Sequence, residues 1–324
     1  MAIFQKPYLE IAQQIGLLKQ RGMDITDDAK AGRYLERLGY YRLSGYWYPM
    51  RQSVASTHPQ SSATKVILDQ FRPGTSFEQV ADLYVFDKQL RLLFLDAIER
   101  IEVAMRVAIA LCLGRNNPYA HMDKTLLHGN FAKKSKYPDG ETAHAAWIER
   151  YRRCVKRSSE DFIKHFKTKY PSQGLPIWIA IEVWDFGLMS TLLAGMTHAD
   201  QSAIAAQYSI PRAELFTGWI RAVNETRNAC AHHSRVWNKP LVNWSTPPKL
   251  GESVILDHLS GNISAQTRVY SVAASLQFLL RTINPTSSWA PRLKELFRTF
   301  PNAPGIAVGQ TGFPHNWETL PLWN

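Results

Sequence analysis

One short segment concentrates groups able to work on a phosphate. In TRNACAHHSRVWN, residues 226–238, an arginine, an asparagine and two adjacent histidines stand where an apolar helix should be closing. Histidine has an ordinary pKa of ~6.5 and exchanges protons near neutrality. Arginine stays charged and presents a planar donor fork that suits phosphate oxygens. Arg227, Asn228 and His232 therefore make a candidate set for a small acid/base site that works on phosphate. The competing reading is a structural polar network, since buried polar groups are ordinarily satisfied packing features.

On a helix starting near Pro211, ~100° per residue puts Phe216, Trp219, Ile220, Val223 and Cys230 on one buried arc. Arg227 falls on the same arc, a costly place for a cation unless it is paired or faces a cavity holding an anion. Asn224, Asn228, Arg221, His232 and Glu225 occupy the flank. Asn228 and His232 are four apart and can meet. Arg227 and His232 are five apart, ~140° around the helix, so one copy does not converge without a distortion or a partner chain. His233 points away from His232 and reads as a surface or supporting residue, and Arg235 and Asn238 just beyond the helix are candidate phosphate-contacting or motif-supporting groups. No third ligand accompanies the two histidines, and Glu225 is the only nearby carboxylate in sequence, so no metal site is expected.

The elements that must position this segment read as helices. The longest is expected from a capping box at Ser76 and Gln79 to about Leu113, with Gly114 as a stop. Val80, Leu83, Phe86, Leu90, Leu93, Ala97, Ile101, Ala104 and Ala108 keep one face apolar along it. Thr26 is read as the N-cap of an earlier helix and Asp200 as the cap of a short later one. A basic helix is expected over 144–169 and a buried one in LPIWIAIEVWDFGLMSTLLAGM, broken near Gly187, with Pro211 in the first turn of the motif helix. KVILDQF suits a short strand, and FPHNWETLPLW suits a structureless tail laid over the core. The division is 1–70 as an N-terminal lobe ending in a polar linker, 71–300 as the main domain with a basic insertion around 115–170, and 301–324 as the tail.

Composition bounds the function. A 324-residue chain that is 45% hydrophobic can build a sizeable core, and its net charge of +11 favours a polyanion as partner. Three scattered cysteines exclude a disulfide framework. The start lacks a signal-peptide pattern and no apolar run reaches the ~20 residues of a membrane span, so a cytoplasmic, non-membrane protein is expected. Residues 130–169 hold eleven Lys and Arg against five acids; Lys133, Lys134, Arg150, Arg152, Arg153, Lys156 and Arg157 are candidate RNA-backbone contacts, against the alternative of a solvated helix face.

Arg227-Asn228-Ala229-Cys230-Ala231-His232 resembles the R-N-x3-H form of the motif of HEPN-domain proteins. YYRLSGY, LYVFDKQLRLLFLDAIERIEVAMR, LPIWIAIEVWDFGLMS, RNACAHHSRVWN and GFPHNWETLPLW, in that order, are similar to signatures of the Abi-like family of bacterial abortive-infection proteins (AbiD/AbiF type). The resemblance implies an all-α HEPN-type bundle with a small N-terminal lobe and an irregular C-terminal tail. It further implies a homodimer whose two motif helices form one composite ribonuclease site without metal or other cofactor, for phage defence or a toxin-like system. Arg227 and His232 would then be catalytic and Asn228 would orient or bind. Glu102 and Arg106 fall inside a signature, which raises a supporting role beside their default as an intrahelical ion pair. The alternative is a non-catalytic protein that holds a regulatory or guide-like RNA; an antitoxin or companion non-coding RNA is a further expected partner. GYYRLSGYWYP could stack bases, but its aromatics read chiefly as packing for the N-terminal lobe.

Overall fold

The computed structural model describes residues 7–55, 65–135, 140–243 and 246–324, and it is mostly helical with one two-stranded sheet. The polar stretch expected as a linker, and Lys136 and Pro138 of the basic insertion, fall partly or wholly outside those residues. In chain order, α1 (Ile11–Gln20), α2 (Asp28–Leu38) and α3 (Tyr40–Trp47) precede a hairpin of β1 (Arg51–Ala55) and β2 (Lys65–Phe71). The strands pair antiparallel, Val54 opposite Val66 and Arg51 opposite Phe71 across an irregularity, so KVILDQF is a strand. Then follow α4 (Phe77–Gly114), α5 (Gly129–Ala132), α6 (Ala143–Arg157), α7 (Asp161–Lys169), α8 (Ile177–Ala180), α9 (Phe186–Gly195) and α10 (His198–Gln207). The last are α11 (Ala213–Ala231), α12 (Ile263–Thr267), α13 (Val269–Ile283) and α14 (Trp289–Arg298).

The axis of the fold is α4. Its capping box forms: Ser76 Oγ accepts from Gln79 N, and Gln79 Oε1 accepts from Ser76 N at 2.9 Å. Val80, Leu83, Phe86, Leu90, Ala97, Ile101 and Ala108 are buried along it, and α3, α8, α10, α11, α13 and α14 pack around it. Gly114 is the last helical residue. Its missing side chain matters because a Cβ there would come to 3.3 Å from Ile177 and Trp178, so it admits α8 rather than turning the chain.

Local hydrogen bonding shifts several expected boundaries. Asp27, not Thr26, caps α2 by accepting from Lys30 N, and Thr197 rather than Asp200 caps α10. Pro211 lies before α11, whose N-cap is Arg212. The basic stretch is two helices, α6 and α7, separated at Ser158–Glu160, where Ser158 turns extended. The apolar run breaks at Trp184–Asp185 and not at Gly187, because Asp185 accepts from Leu188 N at 2.6 Å and starts a new helix. A side chain that satisfies free N–H groups at a helix start outweighs the permissiveness of one glycine.

The C-terminal tail is not structureless. Three 3-10 turns (Val308–Thr311, Trp317–Thr319, Pro321–Trp323) bury Phe313, Trp317, Leu322 and Trp323 against α13 and α14. The Phe297 and Phe313 rings are 4.1 Å apart, and Trp323 Nε1 donates to Tyr270 Oη at 3.2 Å. Fully burying one Phe-sized side chain stabilises by about 1.5–3 kcal/mol, so several such groups hold the tail down without regular structure. Among the described residues, no helix is long and apolar enough to cross a membrane, and the three cysteines are free thiols.

Candidate functional site

The buried arc of α11 is as the spacing requires: Phe216, Trp219, Ile220, Val223 and Cys230 are all buried. Burial pushes the Cys230 thiol up to about 12, so it is an inert packing group. The helix stops cleanly. Ser234 N donates to Ala229 O and His233 N to Cys230 O, the paired bonds of a Schellman stop, with His233 in the left-handed conformation at φ 57°. His232 is the C-cap and is exposed, as is His233.

The chain beyond the motif is bolted to α3 and α4. Asp87, fully buried on α4, accepts at Oδ1 from Trp237 N at 2.8 Å and Val236 N at 3.1 Å. Its Oδ2 accepts from Tyr46 Oη at 2.7 Å and from the buried Arg91, one turn along α4. Arg91 also reaches Tyr46 Oη and Ser234 O. Burial pushes the Asp87 carboxyl up while Arg91 and the N–H donors pull it down. From α3, Arg42 donates to His233 O at 2.7 Å, and Arg235 donates to Gly45 O, where a glycine Cβ would sit 3.4 Å from that guanidinium. Three separate sequence signatures thus meet at one buried network. Asp87, Arg91, Tyr46 and Arg42 escaped the reading of the sequence, although Asp87 lies four residues after Leu83 on the apolar stripe, with Arg91 four further on.

Arg227 and Asn228 face a different space. With Asn224, Arg150, Asp185 and Thr191 they line a cleft of about 300 Å³ between α6, α9 and α11. Arg227 is half-buried and donates to Asn228 Oδ1 at 3.4 Å. Arg150 Nη2 lies 3.5 Å from Asp185 Oδ1, and Asn224 Oδ1 is buried without a hydrogen-bond partner. The carboxylate in this cleft, Asp185, comes from a distant stretch of sequence and pairs with Arg150, so Arg227 keeps no ion-pair partner among the described residues. His232 does not line this cleft.

The remaining candidates divide. Glu102 and Arg106 pair at 2.6 Å, and Arg106 reaches beyond the helix, donating to Trp184 O at 2.9 Å and to Glu182 O. It thereby holds the turn that precedes Asp185. Glu225 accepts from Val242 N and Asn243 N and is spent on the following loop. The Asn238 carbonyl accepts from Arg268, while its Oδ1 is buried and unpartnered. Lys133, Lys134, Arg150, Arg152, Arg153, Lys156 and Arg157 are exposed; Arg150 pairs with Asp185 and Arg152 with Glu149, which removes two from an uncommitted surface. Among the described residues, no group of three or more His, Cys, Asp or Glu could hold a metal ion.

Fold and site together define an all-α protein that presents a polar helix end on a buried mount. The chain belongs to the Abi-like protein family, which matches residues 33–238, well over half of its length. The match runs from α2 through the loop after α11 and points to an abortive-infection role. The terminal GFPHNWETLPLW lies outside it. No match is found among curated proteins or among solved structures.

Proposed function

We propose that the chain is a HEPN-type endoribonuclease of an abortive-infection or toxin-like system, acting in the cytoplasm as a homodimer. The observation that carries this is the contrast at the end of α11: Asn228 and His232 are exposed and Arg227, half-buried, opens on the cleft, while the backbone beyond them is anchored to α3 and α4. A site that is fixed in place yet unsatisfied suits a ligand rather than packing. Arg227 opens toward the cleft and His232 does not line it, which favours completion by a second chain. With two copies of the helix end facing each other, one His232 takes the 2′-hydroxyl proton as the 2′-oxygen attacks phosphorus. The other protonates the departing 5′-oxygen, and Arg227 offsets the charge of the phosphorane. The products are a 2′,3′-cyclic phosphate and a 5′-hydroxyl, and DNA is left intact.

Incubation of the full chain with total RNA in EDTA, beside a His232→Ala variant, tests this. Cleavage with cyclic-phosphate ends in the wild type and its loss in the variant is the expected result. Equal cleavage in both, or sizing that gives a monomer, defeats the reading. One observation favours a second reading: Lys133, Lys134, Arg153, Lys156 and Arg157 are exposed, and RNA backbone could be held by such cations without being cut, as in holding a companion RNA. On that reading, His232→Ala leaves RNA binding and its consequences unchanged.

A further inference from the structure

A groove beside the motif loop carries a chemistry that neither packing nor the proposed reaction uses. It has a volume of about 720 Å³ and is lined by Tyr8, Tyr41, Tyr48, Leu17, Arg21 and Arg51 among others. Tyr41 is 92% exposed, Tyr8 81% and Tyr48 51%, unusual for rings of this size. Tyr41 and Tyr48 are seven residues apart, on one face of α3 and its continuation, whereas Leu43, Tyr46, Trp47 and Met50 on the other side are buried. A helix with a packed inner face normally turns charged groups outward; this one turns out aromatics.

The groove also carries two guanidinium groups. Arg21 and Arg51 share the one carboxylate of the lining, Asp69, at 3.0 and 3.2 Å. The Arg51 guanidinium lies 5.8 Å from the centre of the Tyr48 ring. Glu10, 3.4 Å from Tyr8 Oη, marks one edge. The groove lies near the motif loop: Arg42, next to Tyr41, donates to the carbonyl of His233, and Gly45, next to Ser44 of the lining, accepts from Arg235.

We infer that this groove is a base-stacking subsite for single-stranded RNA leading to or from the α11 end. The inference rests on the proposed function for its ligand, but not on cleavage. Unpaired bases expose faces that stack on tyrosine in any sequence, whereas a duplex hides them. Two guanidinium groups beside exposed rings, and the nearness of the histidine loop, favour RNA over a protein segment.

The test uses the full chain in a His232→Ala background, so that binding is read apart from cutting. A fluorescein-labelled 12-nucleotide single-stranded RNA of mixed sequence is titrated by anisotropy, beside the same sequence as a duplex. Tyr41→Ala/Tyr48→Ala should weaken single-strand binding by at least about tenfold, stacking being worth roughly fivefold or more for each of two bases. Duplex binding and the slope of affinity against salt should be unchanged, because no charge is removed. Tyr41→Phe/Tyr48→Phe should bind within about twofold of the parent. Single-strand affinity within twofold of the parent in the alanine variant overturns the inference and leaves the groove to a protein partner; so does an equal loss for the duplex. Cleavage lost in His232→Ala while the alanine variant binds normally would sink the groove and spare the nuclease. Stacking without any cleavage by the wild type would do the reverse.

Discussion

Arg91 and Arg227 sit on two helices that pack together, α4 and α11, and the chain treats them in opposite ways. Arg91 is buried and spends its donors on Asp87, Tyr46 and the carbonyl of Ser234. Arg227 stands in an open cleft and donates, at 3.4 Å, to its own neighbour Asn228. A buried charge with a complete set of partners fixes geometry; an arginine left with one weak bond is available to an anion. The difference separates mount from site: the first arginine immobilises the chain beyond the second.

The sharpest way to break this comparison is to remove the anchor. Asp87→Ala strands a buried guanidinium and two backbone N–H groups, and should cost about 3–5 kcal/mol in urea unfolding. A loss under about 1 kcal/mol would mean that the network is ornamental. Next comes the open side. His232→Ala should lower RNA cleavage by ~10²–10⁴ and shift stability by no more than about 0.5 kcal/mol. Arg227→Ala should follow the same pattern, and a large fall in melting temperature for either would move them into the structural class.

His121 supplies a third case, a group that is buried and unpartnered. It is fully buried among Trp147, Tyr151 and Trp184, and neither ring nitrogen has a hydrogen bond. Burial, aided by His144, pushes its pKa down to about 3. The folded chain keeps it neutral where the unfolded chain takes up a proton. Stability from this residue is therefore intact above about pH 6.5 and is lost as the pH falls toward 3. Unfolding measured between pH 7 and 4 should show that decline, on the order of a few kcal/mol over the full range, and His121→Phe should flatten it. The smallest effect is expected on the exposed basic face. Replacing Arg153, Lys156 and Arg157 with Gln should leave stability within about 0.5 kcal/mol. The salt slope of RNA binding should fall by roughly 0.7 for each phosphate contact removed. An unchanged slope would return those residues to ordinary solvated surface.

Much of the fold could be read from spacing. The threes and fours of α4, the box at Ser76 and Gln79 and the buried arc of α11 are local patterns, and local geometry decides them. What spacing cannot carry is a contact between distant positions. Asp87 meets Trp237 across 150 residues, and Asp185 enters the cleft of Arg227 only because α9 packs on α11. Arg106 illustrates the same limit: as a member of an i, i+4 pair it looks like surface decoration, yet two of its donors hold the turn before Asp185. The split of 144–169 into α6 and α7 was hidden for another reason, since no proline or glycine marks Ser158–Glu160.

The stop of α11 has a last consequence. Side by side in the alphabet of the chain, His232 and His233 look like duplicates. In space one ends the spiral and the other reverses its hand, a posture that asparagine or glycine would adopt as readily. Swapping His233 for either should pass almost unnoticed by the backbone, whereas valine or isoleucine there would have to bend the chain that Arg42 and Arg91 grip. Of the twin imidazoles, then, His233 is fixed by the shape of its backbone, and the chemistry proposed for the pair falls to His232 alone.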